Sequence, residues 1–384
     1  IRSLNSAKFG FGDRRSAREE FSFFANIRRD TFDDTRNEIG LLPGKSVGTH
    51  LSFGAGSDFS AALPFQEFEF TASVQNEYYY LTKTSTRHYP AQSRFSACAG
   101  LEDSLILFDR RFVLTPRLRA AFRRDAFSSD TERSDTTGSV DPQAGALLWL
   151  IKGTLCAKGS CGMTRRAPTF AELFGDRGSV RGNAALRDER SKTADAGLSL
   201  SVDGIDSAVI QSFGVDYTVF RTKIRNVILF IQDSQYTMHA ENISAASVTG
   251  HELTARAAIL SHAELTGNLT LQRARDESGI AYYKGNYLPH RPILEGSAAV
   301  KLFCRLGSIT WDFSYTGGNF RDRANSEPLY IRQRVCHTVT AVWTPRWDIT
   351  VAAEMRNAAD SRTQDVAGYP LPGRSFTGSV KYIF

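Results

Sequence analysis

No run of 18 consecutive apolar residues occurs in this chain of 384 residues, which excludes a transmembrane helix. That lack does not exclude a membrane protein. A membrane barrel alternates lipid-facing and lumen-facing side chains, so its mean hydropathy resembles that of a soluble protein. Cysteine is scarce: Cys98, Cys156, Cys161, Cys304 and Cys336 contain no Cys-x-x-Cys pair and make a poor disulfide framework. Cys156 and Cys161 are near enough for a local bridge, but small half-buried residues are the simpler reading. The seven histidines are dispersed, so no metal site is expected. There is no Gly-x-Ser-x-Gly elbow, no phosphate-binding Gly-Lys-Ser/Thr loop, no dinucleotide fingerprint and no His-Glu-x-x-His. His251-Glu252 lacks the second histidine and falls on a strand pattern. We therefore expect no catalytic residue, no cofactor and no enzyme. The formal charge of +6 is not gathered into a basic run, and no nucleic-acid partner is expected. It reads as solvated loops and inner wall, with attraction of an anionic ligand as the other use. The chain starts at Ile1 without a Met or a signal-like segment, as a processed product or a fragment does.

What the chain does have is period-two alternation, many times over. Phe68, Phe70, Ala72 and Val74 alternate with Glu67, Glu69, Thr71 and Ser73. Leu265, Leu269 and Leu271 alternate with Glu264, Thr266, Asn268, Thr270 and Gln272. Trp347, Ile349, Val351 and Met355 alternate with Asp348, Thr350 and Glu354. Each such segment is a strand with one apolar and one polar face. A soluble sandwich would show the same alternation. Three features favour a transmembrane antiparallel β-barrel: long segments, aromatics near segment ends (Tyr78 to Tyr80, Trp311, Tyr330, Trp343) and connections that alternate in length. About sixteen strands are expected, the first at 19–30 and the last at 374–384, with both termini on the short-turn side. Short turns are expected around Ala61, Pro116, Lys152, Gly204, Ser261, Leu306 and Pro345, and long loops at 127–143, 166–191, 276–291, 317–327 and 358–373. No domain boundary emerges, so residues 1–384 read as one all-β domain.

The most specific local feature is the last strand. Phe384 ends the chain, preceded at every second position by Tyr382, Val380, Gly378 and Phe376, as in outer-membrane barrels whose terminal strand is read by the barrel-assembly machinery. Before it lies Tyr369-Pro370-Leu371-Pro372-Gly373-Arg374, with Asn357 and Asp360 upstream. Far from it, Arg166-Ala167-Pro168-Thr169-Phe170-Ala171-Glu172-Leu173 is followed by Gly182-Asn183-Ala184-Ala185-Leu186. Gly250-His251-Glu252-Leu253, with Asn242 before it, and Leu288-Pro289-His290-Arg291-Pro292 complete the set. In order and spacing these segments resemble the TonB-dependent outer-membrane receptor family: its closing Pro-Gly-Arg turn, its Arg-Ala-Pro-Thr-Phe-x-Glu-Leu loop, its Gly-Val-Glu-Leu strand and its Leu-Pro-x-Arg-Pro segment. Departures are Ala358-Ala359 in place of Leu-Phe and the loss of both prolines after Asn183.

The resemblance implies a barrel of which about sixteen strands of a family-typical 22 are present, with outer-membrane lipid around it. It implies a receptor for active uptake of a scarce, large nutrient of the siderophore-iron, haem or cobalamin type, bound at external loops. Energy would arrive through TonB only if a plug domain and its box lie upstream, since residues 1–60 resemble neither. A truncated start is the simplest reading; gene decay or a plugless variant would look the same, and a passive pore or surface-interaction barrel is the alternative function. Arg166, Pro168, Thr169, Phe170, Glu172, Leu173, Asn183, Gly250, Glu252, Pro372, Gly373, Arg374 and Phe384 are expected to be structural. Proline and glycine would shape turns, and Arg166 and Arg374 would anchor loops by charge-assisted hydrogen bonds. The ligand-binding residues are not legible.

Overall fold

Side chains that alternate between apolar and polar suit a two-faced extended chain, and almost the whole sequence becomes antiparallel sheet. The computed structural model describes residues 2–13, 16–36, 44–83, 92–127, 133–175, 180–205, 209–232, 237–260, 262–346, 348–366 and 369–383. The chain opens with β1 (Arg2–Asp13), β2 (Ala17–Asp34), β3 (Gly44–Leu63), β4 (Gln66–Lys83), β5 (Gln92–Leu107), β6 (Phe112–Phe127), β7 (Arg133–Ile151) and β8 (Leu155–Arg166). A short helix, α1 (Phe170–Phe174), and β9 (Val180–Arg181) follow. Then come β10 (Glu189–Val202), β11 (Ile210–Gln232), β12 (Met238–Ile259), β13 (Ala263–Asp276), β14 (Leu294–Cys304), β15 (Gly307–Thr316) and β16 (Asn319–Phe320). The last elements are a 3-10 turn at Glu327–Leu329, β17 (Tyr330–Ile331), β18 (Arg334–Arg346), β19 (Ile349–Arg356), β20 (Gln364–Val366), β21 (Tyr369–Pro370) and β22 (Ser375–Tyr382). The chain divides into two compact units: residues 1–147, 160–192 and 224–244 form the first, and residues 148–159, 193–223 and 245–384 the second.

Among the described residues, eighteen strands share one sheet, while β16–β17 and β20–β21 are separate two-stranded ladders. One of the eighteen is the two-residue β9, which pairs parallel with the start of β12. Seventeen long strands remain, one more than expected. The addition is β1, whose Asn5, Lys8, Gly10 and Gly12 blur its alternation. Its pairing with β2 is continuous all the same, and sets Phe9 opposite Phe21. An odd count changes the termini: β1 starts at the long-connection end and β22 finishes at the short-connection end, so the expectation of both on the short-turn side was wrong.

Connections at 64–65, 108–111, 152–154, 260–262, 305–306 and 347–348 are short, and those at 167–188, 277–293, 317–333 and 357–374 are long. Three turns are misplaced in the sequence reading. The turn expected at Ala61 is at Pro64–Phe65, and the one expected at Pro116 is at Phe108–Arg111, where Phe108, Asp109 and Arg110 take positive φ. Pro116 lies inside β6, where the β5–β6 ladder skips from Leu105↔Leu114 to Glu102↔Arg117, so its missing N–H breaks no pair with β5. Pro345 likewise lies inside β18, within the register shift between Trp343 and Arg346. The loop expected over 127–143 shrinks because β7 already begins at Arg133 and carries Pro142 within it. Trp347 and Ser261 lie outside the described residues.

Cross-strand registers separate the two faces. In the second unit, Leu265, Val300, Trp311, Val339, Met355 and Phe376 stand opposite one another across six strands. One residue away runs a polar row of Glu264, Lys301, Thr310, Thr340, Glu354 and Thr377. In the first unit, Ala7, Phe23, Ala55, Val74, Ala97 and Phe122 form the equivalent apolar row. A sandwich would bury such rows against a second sheet. Here Leu269 is 44% exposed, Trp343 55% and Val380 73%. The apolar face is open, as a face that meets lipid must be. Asp348, expected on the polar face of a strand, sits instead in the turn before β19, 3.2 Å from Arg346.

In lipid vesicles, Leu269→Arg and Phe313→Arg should each cost about 2–4 kcal/mol of stability in urea unfolding, and Asn268→Arg and Ser314→Arg far less. Equal losses on the two faces would mean that the faces are assigned the wrong way round.

Candidate functional site

The long connection after β8 is the most built-up part of the first unit. Pro168 is fully buried, and it leads into Thr169 in an extended conformation at the head of α1. Thr169 Oγ1 accepts the Glu172 N–H at 3.2 Å, while the Glu172 carboxylate accepts the Thr169 N–H at 2.7 Å. This reciprocal capping satisfies two helix-end donors that no backbone carbonyl can reach. Arg166, the last residue of β8, gives two Nη donors to Glu172, at 2.9 and 3.1 Å, and its Nε to Glu189 at 2.6 Å. Burial opposes ionisation of Glu172, but the Arg166 guanidinium and the Thr169 donors outweigh it and hold the carboxyl below its ordinary 4.5.

The helix is seated on aromatic rings. Phe170 stacks on Tyr79 at 5.7 Å, packs beside Phe174 at 6.1 Å and meets the edge of His50 at 5.8 Å, while Phe174 meets Phe127 at 5.2 Å. Leu173 is buried, and Tyr79 and Leu81 complete the small core. Beneath it Arg94 makes a bidentate pair with Asp125, at 2.6 and 3.0 Å, gives its third donor to the Pro168 carbonyl at 2.9 Å and lies 5.1 Å above the Phe170 ring. The chain then leaves α1 through Gly175, whose φ of 79° suits glycine. Gly182 passes so close that a Cβ would lie 2.3 Å from the Phe174 nitrogen. The Asn183 N–H donates to the Glu172 carbonyl, and its side chain accepts from Ala185. Asn242 bridges the Arg187 backbone and the Asn226 carbonyl.

The motif residues of the second unit lie in other networks. Gly250 faces the Phe220 ring, where a Cβ would come within 2.5 Å. Glu252, opposite Thr270 on β12, is exposed. Asn357 donates to the carbonyls of Ser361 and Pro372, and Asp360 accepts the Arg374 N–H at 2.9 Å. A Cβ on Gly373 would lie 2.9 Å from that Asp360 carboxylate. Arg374 is thus held by its backbone N–H. Asp276, fully buried at the end of β13, pairs with Arg323 at 2.5 Å, and Arg323 also reaches Ser278 and the Tyr283 ring. Nothing in the sequence marked Asp276–Arg323 or Arg94–Asp125, because each partner looks like any other charged residue until the fold pairs it. Phe384 lies outside the described residues.

A family model described as TonB dependent receptor-like, beta-barrel matches residues 2–370. The chain belongs to this family. No curated protein matches it. Among solved structures, the copper transporter OprC is 13% identical with a TM-score of 0.82, and the match covers 100% of this chain and 65% of OprC. The siderophore receptor PiuA from Acinetobacter baumannii is 13% identical with a TM-score of 0.79, over 99% of this chain and 64% of PiuA. The ferric citrate transporter FecA gives 13% and 0.74, over 100% and 61%. The TonB-dependent receptor chain thus spans a little under two thirds of the length of these neighbours, which are receptors and transporters. Its place is the outer membrane, crossed by strands; no described helix is long and apolar enough to cross.

Truncating Arg94 to Ala removes the bidentate partner of buried Asp125 and leaves it only the Arg123 guanidinium, 2.9 Å away and off the line of a hydrogen bond, which should destabilise by about 3–5 kcal/mol. The double variant Arg94→Met/Asp125→Leu should recover most of that loss in the same unfolding assay. A lowered folded-state pKa makes the Glu172 contribution complete above pH 4.5 and lost as pH falls through the folded value. Proteolysis of the 167–188 connection should therefore accelerate only in acid. Glu172→Gln should remove that pH step; a step that survives the substitution has another origin.

Proposed function

We propose that the chain is the wall and external-loop portion of a receptor for active uptake of a scarce, large nutrient of the siderophore-iron, haem or cobalamin type. The observation that carries this reading is the family match over residues 2–370. The held connections support it. A ligand captured at low concentration needs loops ordered before it arrives, so that binding does not have to supply their ordering entropy. The networks of Glu172, Asp276 and Asn357 would supply that order, with the motif residues acting as loop anchors. Energy would come from TonB acting through a plug domain and its box, and the exposed alternation of Phe376, Val380 and Tyr382 would engage the barrel-assembly machinery.

The test is uptake in cells stripped of other iron and cobalamin receptors. These cells express the full-length gene product and are offered radiolabelled ferric catecholate, ferric citrate, haem or cyanocobalamin. Entry of one probe, abolished by an uncoupler of the proton gradient, is the expected result. Entry that ignores the uncoupler would point instead to a passive pore, and exclusion of all four would refute this nutrient class.

A further inference from the structure

On the polar face of β5, β6 and β7, roofed by the connection after β8, lies a cavity of about 160 Å³ within the first unit. Its floor is small, with Ser96 and Cys98; its walls bring Arg119, Arg123 and Arg165 together with Asp141 and Asp188. The hydrogen bonds already made show which groups remain available. Arg123 and Asp188 are joined at 2.9 Å. The Arg123 Nε–H, buried and 2.9 Å from Asp125, is off the line of a hydrogen bond and has no acceptor. Arg119 gives its Nε–H to the Cys98 thiol at 3.0 Å, a weak acceptor, and Arg165 gives one N–H to the Gly138 carbonyl at 3.1 Å. Asp141 is only 2% exposed, yet it receives a single long bond, from Ser139 at 3.4 Å.

The contrast with the neighbouring Arg94–Asp125 pair is informative. There every charge is met by its opposite in good geometry. In the cavity, guanidinium donors and a buried carboxylate face one space without pairing with each other. A buried charge in that condition is costly unless something else completes it. A simple anion would satisfy the arginines and leave Asp141 short, and a simple cation would do the reverse.

We propose that this cavity binds a small zwitterionic group of the α-amino-acid type, its carboxylate toward Arg119 and Arg165 and its ammonium toward Asp141. The volume lies below the roughly 300–1,000 Å³ of pockets that enclose a whole drug-sized ligand. The occupant is therefore a small solute or one arm of a larger ligand. This deepens the uptake reading and rests on it for its biological meaning.

The experiment is calorimetric titration of the full chain, folded in detergent micelles, with L-alanine, acetate and methylammonium in turn, repeated on Arg119→Gln and Asp141→Asn. Alanine should bind at least about tenfold more tightly than either singly charged probe, and each substitution should weaken it by about tenfold or more. Val140→Thr, on the opposite face of β7, should leave it unchanged. Absence of alanine binding overturns the proposal, as does acetate or methylammonium binding as tightly as alanine. Alanine affinity indifferent to both substitutions does the same. Should a variant lose its β-sheet circular dichroism, the three-probe comparison on the unaltered chain decides alone. Because uptake in cells is measured separately, failure here leaves the uptake reading standing, and failure of uptake leaves the binding result standing.

Discussion

Hydrogen bonding between neighbouring strands is the constraint on which the rest of this protein depends. One face of the sheet is apolar and open, and in hydrocarbon no water can complete a missed backbone bond. The ladder must therefore run continuously, and it does so across β1 to β6 and β13 to β22 with little interruption. Two interior prolines, Pro116 and Pro345, sit where the ladder already yields. Among the described residues, one small hydrophobic cluster is Tyr79, Leu81 and Phe170, with Phe174 against it.

Where the chain leaves the ladder, the same requirement passes to side chains. The head of α1 is closed by Thr169 and Glu172, the Arg187 backbone by Asn242, the Pro372 carbonyl by Asn357 and the Arg374 amide by Asp360. Asn325 closes the Tyr287 backbone from across two connections. These are different residues solving one problem, and they explain why motif positions far from any ligand chemistry are polar and specific. The buried pairs Arg94–Asp125 and Asp276–Arg323 extend this logic with charge: geometry is held tightly, at the risk of a large penalty if either partner is lost.

Charge on the polar face thus has two forms. Around α1 it is paired and organises the connection. In the cavity between β5, β6 and β7 it is divided between unspent donors and an under-bonded carboxylate, which is why that place, and not the more crowded cluster beside it, suits a ligand.

The sequence by itself determined the fold class, sixteen of the seventeen long strands and the two-faced alternation along them, and carried a resemblance to the family. Strand periodicity is local: two faces, repeated every second residue, are visible in any window of ten. It also marked Arg166, Pro168, Thr169, Glu172 and Asn357 as special, because they fall in contiguous stretches that resemble family motifs. It could not show β1, whose evidence is its register with β2, nor that Pro116 and Pro345 are tolerated, since a ladder's gaps belong to two strands at once. Only the tertiary structure could decide that Arg94 meets Asp125, that Arg323 meets Asp276 and that Arg119, Arg165 and Asp141 share a cavity. A charge acquires a role from what lies opposite it in space, and for these residues that partner is 22 to 47 positions away.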